Sequence, residues 1–155
     1  MAARPLPAPT SQPVAYRRIV VPLDGDDDES ELGIAIAAEL APEAGASITA
    51  VVVIEIPAAL PLDAHMEEEE AVARRALDKA HAIAASRGVR LQERIVRARA
   101  CGEAIVAEAE SADADLIVVR AEPRGHKPLP LFEKTVDYVL RHAGCRVLVA
   151  ARPRG

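Results

Sequence analysis

The side chains best placed to bind a charged ligand lie in a proline-rich segment around residue 125. Arg124, His126 and Lys127 fall within four consecutive positions. Cationic side chains of this kind can bind phosphate oxygens without a glycine-built loop. The other interpretation is a solvated basic loop on an acidic protein, because ordering flexible side chains costs conformational entropy. We favour the solvated loop and keep phosphate binding as the alternative.

The other reactive side chains form no catalytic or metal-binding pattern. Cys101 and Cys145 lie far apart and outside a C-x-x-C spacing, and the four histidines lack metal-ligand spacing. No Ser-His-Asp or Cys-His arrangement can be argued. The acidic runs at residues 26–29 and 67–70 suit helix starts, where the helix dipole favours negative charge. We therefore expect no metal site and no enzymatic activity.

The composition indicates one domain with an aliphatic core. The chain has 155 residues, half of them hydrophobic, with one Phe, two Tyr and no Trp. The formal net charge of −5 argues against a nucleic-acid-binding surface, which needs a basic face. No run approaches the roughly 18 apolar residues of a membrane span, and residues 1–15 lack the apolar region of a signal peptide. These features predict a cytoplasmic protein without direct membrane insertion.

Strands and helices alternate along the chain. Apolar runs predict buried strands at 18–23, 47–56, 115–119 and 146–150, and an alternating run predicts a strand nearer an edge at 89–96. Helices are predicted at 26–44, 67–87, 102–112 and 131–142. Helical spacing puts Leu32, Ile36 and Leu40 on one face of the first helix, and Phe132, Val136, Val139, Leu140 and Ala143 on one side of the fourth. This alternation indicates an α/β fold with a mainly parallel sheet. Ligands bind such sheets beyond the carboxyl ends of the strands, which makes 24–30 and 120–130 the candidate ligand loops.

Five segments, taken in order, resemble the universal stress protein family, of which UspA is the type. They are YRRIVVPLDG at 16–25, AVVVIE at 50–55, GEAI at 102–105, ADLIVV at 114–119 and VLRHAGCRVLV at 139–149. We take residues 16–151 as the domain, with a flexible Pro/Ala-rich segment at 1–15 and a tail at 152–155. The resemblance implies a Rossmann-like, adenine-nucleotide-alpha-hydrolase-like three-layer sandwich. It has four helices on a five-stranded parallel sheet in the order 3-2-1-4-5.

The resemblance also implies how the domain associates. Many family members form homodimers by pairing the last strand, here Arg146–Ala150, and an unpaired apolar edge invites such pairing. A looser resemblance, over residues 53–63 and 135–140, is to the stress-protein domains attached to amino-acid permeases. A protein partner or a transporter is therefore a further expectation.

The chain departs from the family's phosphate-binding loop. ATP-binding members carry G-x2-G-x9-G-(S/T) after the fourth strand. Here the glycine positions fall on Arg120, Pro123 and Glu133, and the hydroxyl position falls on Lys134, next to Thr135. Pro123 has no N–H to donate to phosphate, and Glu133 brings negative charge. The resemblance therefore implies a degenerate loop without the usual ATP cradle.

The resemblance places two more residues in a nucleotide cleft. Asp24 matches the position that meets adenine and ribose, although a cap or turn at the start of the first helix explains it equally well. Val53 matches the position whose backbone faces adenine and is also a core valine. The candidate cleft residues are Asp24, Val53, Arg124, His126, Lys127 and Thr135. We also expect Pro123, Pro128 or Leu129 to occupy part of the phosphate space.

Two functions compete. The leading one is a non-catalytic regulatory or interaction domain without a cofactor. The alternative is a stress-response protein that binds an adenine nucleotide, as AMP, cyclic AMP or ATP. A phosphoacceptor receiver domain is set aside because the third strand ends in Arg97-Ala98-Arg99 where that class needs an Asp. An ATP-cleaving enzyme is set aside because it needs a phosphate loop and a catalytic set.

Overall fold

The computed structural model describes residues 15–25, 31–41, 45–120 and 130–151, with side chains from residue 134 onward in the last range. Strands and helices alternate through these ranges, as the sequence predicts. The elements are β1 (Arg18–Leu23), α1 (Glu31–Leu40), β2 (Ser47–Glu55), α2 (Glu67–Ser86), β3 (Arg90–Ala98), α3 (Cys101–Ser111), β4 (Leu116–Arg120), α4 (Pro130–His142) and β5 (Arg146–Ala150).

The strands form one parallel sheet in the order β3-β2-β1-β4-β5, which confirms the order implied by the resemblance. Helices α1 and α2 contribute to the apolar cluster on one face of the sheet, and α3 and α4 to the cluster on the other. The result is a three-layer sandwich. The chain order reverses between β1 and β4, which is where doubly wound sheets open a ligand crevice.

The core is aliphatic, as the composition predicts. Ile34 and Leu77 are fully buried on one face of the sheet, and Ile105 and Val139 are buried on the other. The four buried alanines of α2 let this helix pack closely on the sheet; they are Ala73, Ala76, Ala80 and Ala84. Gly88 adopts a φ of 69° just after α2, in the left-handed region that commonly ends a helix.

One predicted helix face, that of α4, is wrong in detail. On α1 the predicted face of Leu32, Ile36 and Leu40 is half-buried and packs against the core, while the fully buried residues of this helix are Ile34 and Ala37. On α4 the predicted inward residue Leu140 is 53% exposed. The sheet-facing residues of α4 are Val136 and Val139. Leu140 follows Val139 directly, and each step along a helix turns the side chain by about 100°, so Leu140 points away from the sheet.

The two outer strands of the sheet have opposite character. Glu93 of β3 forms an ion pair with Arg74 at 2.8 Å, and Nε2 of His81 lies 2.6 Å from its carboxylate; both partners are on α2. Arg94 of β3 pairs with Glu108 of α3 at 3.0 Å. The strand β5 is apolar at its centre, and its Val149 is 40% exposed. The prediction that the third strand lies at an edge is confirmed.

The strand β4 is longer than predicted at its carboxyl end. The sequence places Arg120 at the start of a loop, but the structure makes it the last residue of β4, paired with Ala150 of β5. Successive side chains along a strand point to opposite faces of the sheet. The direction of the Arg120 side chain is therefore fixed by the sheet rather than free.

Candidate functional site

A cavity of about 240 Å³ opens at the point where the strand order reverses. Its walls come from the carboxyl ends of β1, β2 and β4, from the start of α3 and from α4. The lining residues are Pro22, Leu23, Asp24, Val53, Glu55, Cys101, Ile105, Val119, Arg120, Thr135 and Val136. Most of these are apolar, so the few charged groups in the cleft decide what it can hold.

An ion pair between Arg120 and Asp24 lies in this cleft. The terminal nitrogen Nη2 of Arg120 donates to Oδ2 of Asp24 at 2.5 Å. The Arg120 side chain is 6% exposed and that of Asp24 is 24% exposed. The pair forms because β1 and β4 are neighbours in the parallel sheet and both residues lie at the carboxyl ends of these strands. A buried guanidinium thus occupies space beside the carboxylate expected to meet a nucleoside.

The first residue of α3 supplies a thiol to the floor of the cleft. Burial raises the pKa of Cys101 to about 11, so its thiol is protonated at neutral pH. A hydrogen bond with Thr135 lowers this pKa, and the negative charges of Glu55 and Asp24 raise it. A protonated, buried thiol is a poor nucleophile. The carboxylates of Glu55 and Asp24 thus contribute negative charge near the Cys101 thiol.

The structure brings together three of the six predicted cleft residues. Asp24, Val53 and Thr135 all line the cavity, from β1, β2 and α4 respectively. The predicted cations Arg124, His126 and Lys127 lie outside the described residues, as do Pro123, Pro128 and Leu129. Lys134, at the family's hydroxyl position, is exposed.

Three polar residues of the cleft were not predicted from the sequence as cleft residues. They are Arg120, which was treated only as a lost glycine, Glu55 at the end of β2, and Cys101. Each lies at a strand end or a helix start on the carboxyl side of the sheet. Their positions in the sequence could have predicted them as cleft residues, because these strand ends and helix starts converge on one crevice in a doubly wound sheet.

The described ranges contain neither a metal-binding cluster nor a membrane-spanning helix. These residues contain no group of three or more His, Cys, Asp or Glu side chains able to hold a metal ion. None of the helices in the described part of the chain has the length and hydrophobicity needed to span a lipid bilayer.

The fold and the position of the cleft together define a class of protein: a Rossmann-like, three-layer α/β sandwich with a crevice at the point where the strand order reverses. The family model described as the universal stress protein family matches residues 15–151. The chain therefore belongs to the universal stress protein family. None of the proteins with curated descriptions is significantly similar to it in sequence.

Solved structures agree with this assignment. A universal stress protein from Archaeoglobus fulgidus is 25% identical with a TM-score of 0.70, over 86% of this chain and 98% of that one. A family member from Burkholderia pseudomallei is 26% identical with a TM-score of 0.67, over 90% and 98%. A universal stress protein solved in complex with cAMP is 25% identical with a TM-score of 0.61, over 88% and 98%.

Proposed function

We propose that this chain is a non-catalytic regulatory domain of the universal stress protein class that does not bind ATP in the family's usual way. The observation that carries the proposal is the Arg120–Asp24 ion pair. It engages the carboxylate that would meet the nucleoside, and it places a large side chain where the family loop begins with glycine. A nucleotide entering the cleft would have to displace this pair.

The electrostatics of the cleft support the same function. Asp24 and Glu55 both line the cavity, and the positive charge of Arg120 is directed at Asp24. A triphosphate would therefore approach carboxylates, and the sequence lacks the family's loop glycines, which let backbone N–H groups converge on phosphate. The protonated state of the Cys101 thiol supports a domain without covalent chemistry in this cleft.

Adenine mononucleotide binding is the second candidate. It is favoured by the apolar cleft, by the positions of Asp24 and Val53 in it, and by the structural neighbour solved with cAMP. A ligand with one phosphate needs less anion binding than ATP does. In this case Arg120 would have to leave Asp24 and turn to the phosphate, as arginine can bind phosphate through two parallel N–H donors.

Calorimetric titration separates the two candidates. We expect no heat from ATP at millimolar concentration, because the carboxylates repel a triphosphate and Arg120 is already paired with Asp24. Arg120→Gly, which opens the first loop position, should raise any residual affinity for ATP. The matched variant is Arg141→Gly, which removes an exposed arginine on α4 that pairs with Asp137 and lies outside the cavity lining.

The titration can also overturn the proposal. Wild-type protein that binds ATP with micromolar affinity would show that a cradle exists despite the substituted loop. Binding of AMP or cAMP without ATP, lost in Arg120→Ala, would instead support the second candidate. Binding of AMP that is unchanged or stronger in Arg120→Ala would show that Arg120 does not hold the phosphate.

We also propose a homodimer formed by pairing β5 of two copies. The support is that β5 ends the sheet, that its residues after Arg146 are all apolar, and that its Val149 is exposed. Val149→Lys places a charge beside the pairing edge and should shift the sedimentation coefficient from that of a dimer to that of a monomer. Ile95→Lys, at a comparably exposed apolar position on β3, is the control and should leave the dimer intact. A monomeric wild-type chain would contradict the proposal.

The cellular setting is proposed from the resemblance. We place the domain in the cytoplasm, without nucleic acid, acting on a protein partner such as a transporter of the amino-acid permease type. A fluorescent fusion that spreads through the cytoplasm agrees with this assignment, and recovery of the chain from outside the cell contradicts it.

A further inference from the structure

The loop that follows β2 displays apolar side chains to solvent. Its residues 57–62 read Pro-Ala-Ala-Leu-Pro-Leu, and all of them are exposed. Leu60 is 42% exposed and Leu62 is 48% exposed. A scattered exposed leucine needs no explanation, but here two exposed leucines lie in one short loop that contains no polar side chain. We call residues 57–62 the apolar loop.

Two arginines at the end of β3 fix the shape of this loop. Nη1 of Arg99 donates to the carbonyl oxygens of Pro57 at 2.5 Å and of Leu60 at 2.7 Å. Nη1 of Arg97 donates to the carbonyls of Leu62 at 3.3 Å and of Ala64 at 2.7 Å. The backbone is thus tied down while the side chains remain free to make contacts. Such preorganisation lowers the entropy lost when a partner binds.

Two turns inside the segment add to this order. The N–H of Leu60 donates to the carbonyl of Pro57 at 3.0 Å, and the N–H of Ala64 donates to that of Pro61 at 3.0 Å. Arg97 also pairs with Glu70 in the first turn of α2. The apolar loop is therefore held to both β3 and α2, and its two leucines are presented from a fixed backbone.

Negative charge lies directly beside the apolar loop. Asp63 follows it, and Glu67, Glu68 and Glu69 open α2 with exposed side chains. The guanidinium groups of Arg97 and Arg99 point toward carbonyl oxygens of the loop segment. An apolar surface with an acidic border is complementary to an apolar surface with a basic border. The same charges would repel anionic lipid and nucleic acid.

We propose that the apolar loop and the acidic start of α2 form a docking surface for a basic amphipathic helix of a protein partner. The apolar face of such a helix covers Leu60 and Leu62, and its lysine or arginine side chains meet the carboxylates of residues 67–69. Amphipathic helices recognise apolar surfaces in this way, with flanking charges that set orientation. This surface borders the nucleotide cleft, because Glu68 and Glu69 line a second cavity that shares Asp24, Val53 and Glu55 with it. The proposal does not depend on the function proposed for the cleft.

Fluorescence anisotropy with a defined peptide tests the proposal. The probe is a labelled 18-residue helix with leucine on one face and lysine on the other, and the control probe has the same residues in scrambled order. We expect the helix to bind and the scrambled peptide to bind at least about tenfold more weakly, because charge alone gives little affinity. Leu60→Ser with Leu62→Ser should weaken helix binding about tenfold or more.

Matched variants locate the site. Glu68→Gln with Glu69→Gln should weaken binding about threefold and reduce its salt dependence. Leu140→Ser removes an equally exposed leucine on α4, and Glu103→Gln with Glu110→Gln removes two exposed carboxylates on α3. Both controls should bind within about twofold of wild type, since they lie outside the proposed surface. Circular dichroism melting of each variant confirms that the fold is retained.

Three results would overturn the docking surface. The first is no binding, or equal binding of both probes. The second is a Leu60→Ser, Leu62→Ser variant that binds like wild type, or a Leu140→Ser variant that loses as much affinity. The third is that the loop variant converts a dimer to a monomer in sedimentation, which would make the loop a contact between copies of this chain.

Discussion

Replacing Asp24 with alanine is expected to lower the free energy of unfolding by about 2–4 kcal/mol. The change removes a carboxylate that accepts from a guanidinium with only 6% of its side chain exposed. A buried ion pair adds little net stability when formed, but removing one partner is destabilising because the other charge stays in a poorly solvated place. Urea denaturation followed by circular dichroism measures the effect, since the chain has no tryptophan.

An exposed ion pair provides the control. Asp137→Ala removes the partner of Arg141, whose side chain is 71% exposed, four residues further along α4. Solvent screens such pairs, so a loss of about 0.5 kcal/mol or less is expected. If Asp24→Ala and Asp137→Ala destabilise the protein equally, Arg120 is not held in the cleft as the structure places it.

Gly102→Ala should destabilise the protein by about 1–3 kcal/mol, since overpacking a well-packed core has this magnitude. A Cβ at residue 102 would lie 2.8 Å from Cβ and 2.9 Å from Cδ1 of Tyr138. Both residues are held by their helices, α3 and α4, so one helix must shift. The higher helix propensity of alanine offsets up to about 1 kcal/mol of the loss.

The same glycine-to-alanine change at residue 144 gives the comparison. A Cβ there meets nothing within 4 Å, so Gly144→Ala should change the free energy of unfolding by about 0.5 kcal/mol or less. Thermal melting of the two variants in parallel is sufficient. A Gly102→Ala variant that melts with or above wild type would show that α3 and α4 pack less closely than described.

The element pattern was predictable because its causes are local. Uninterrupted apolar runs mark β1, β2 and β4, since each is covered on both faces. The strand order was not derivable from these runs and came from the resemblance. The most deeply buried side of α1 could not be singled out, because Leu32, Ile36 and Leu40 satisfy helical spacing as well as Ile34 and Ala37 do. Only the angle at which the helix meets the sheet decides between the two faces.

The position of the cleft was predictable from the sequence, but the side chains that decide its chemistry were not. Asp24 and Val53 were found from the resemblance, and both line the cavity. Arg120 was considered only as the replacement of a flexible glycine in the family's loop. Its actual contribution is a long side chain, which meets Asp24 only because β1 and β4 are adjacent in space. The two residues are 96 positions apart in sequence, so no local pattern connects them.

The contrast between the two outer strands limits how many copies can join. At β3 the charged side chains of Glu93 and Arg94, whose partners lie on α2 and α3, disfavour pairing with a strand of another copy. If two chains pair through β5 about a two-fold axis, each has then used its one open edge. The outer strand at both ends of the combined sheet is then β3, whose charged side chains disfavour further strand pairing. Assembly therefore stops at a closed dimer rather than continuing into a fibre.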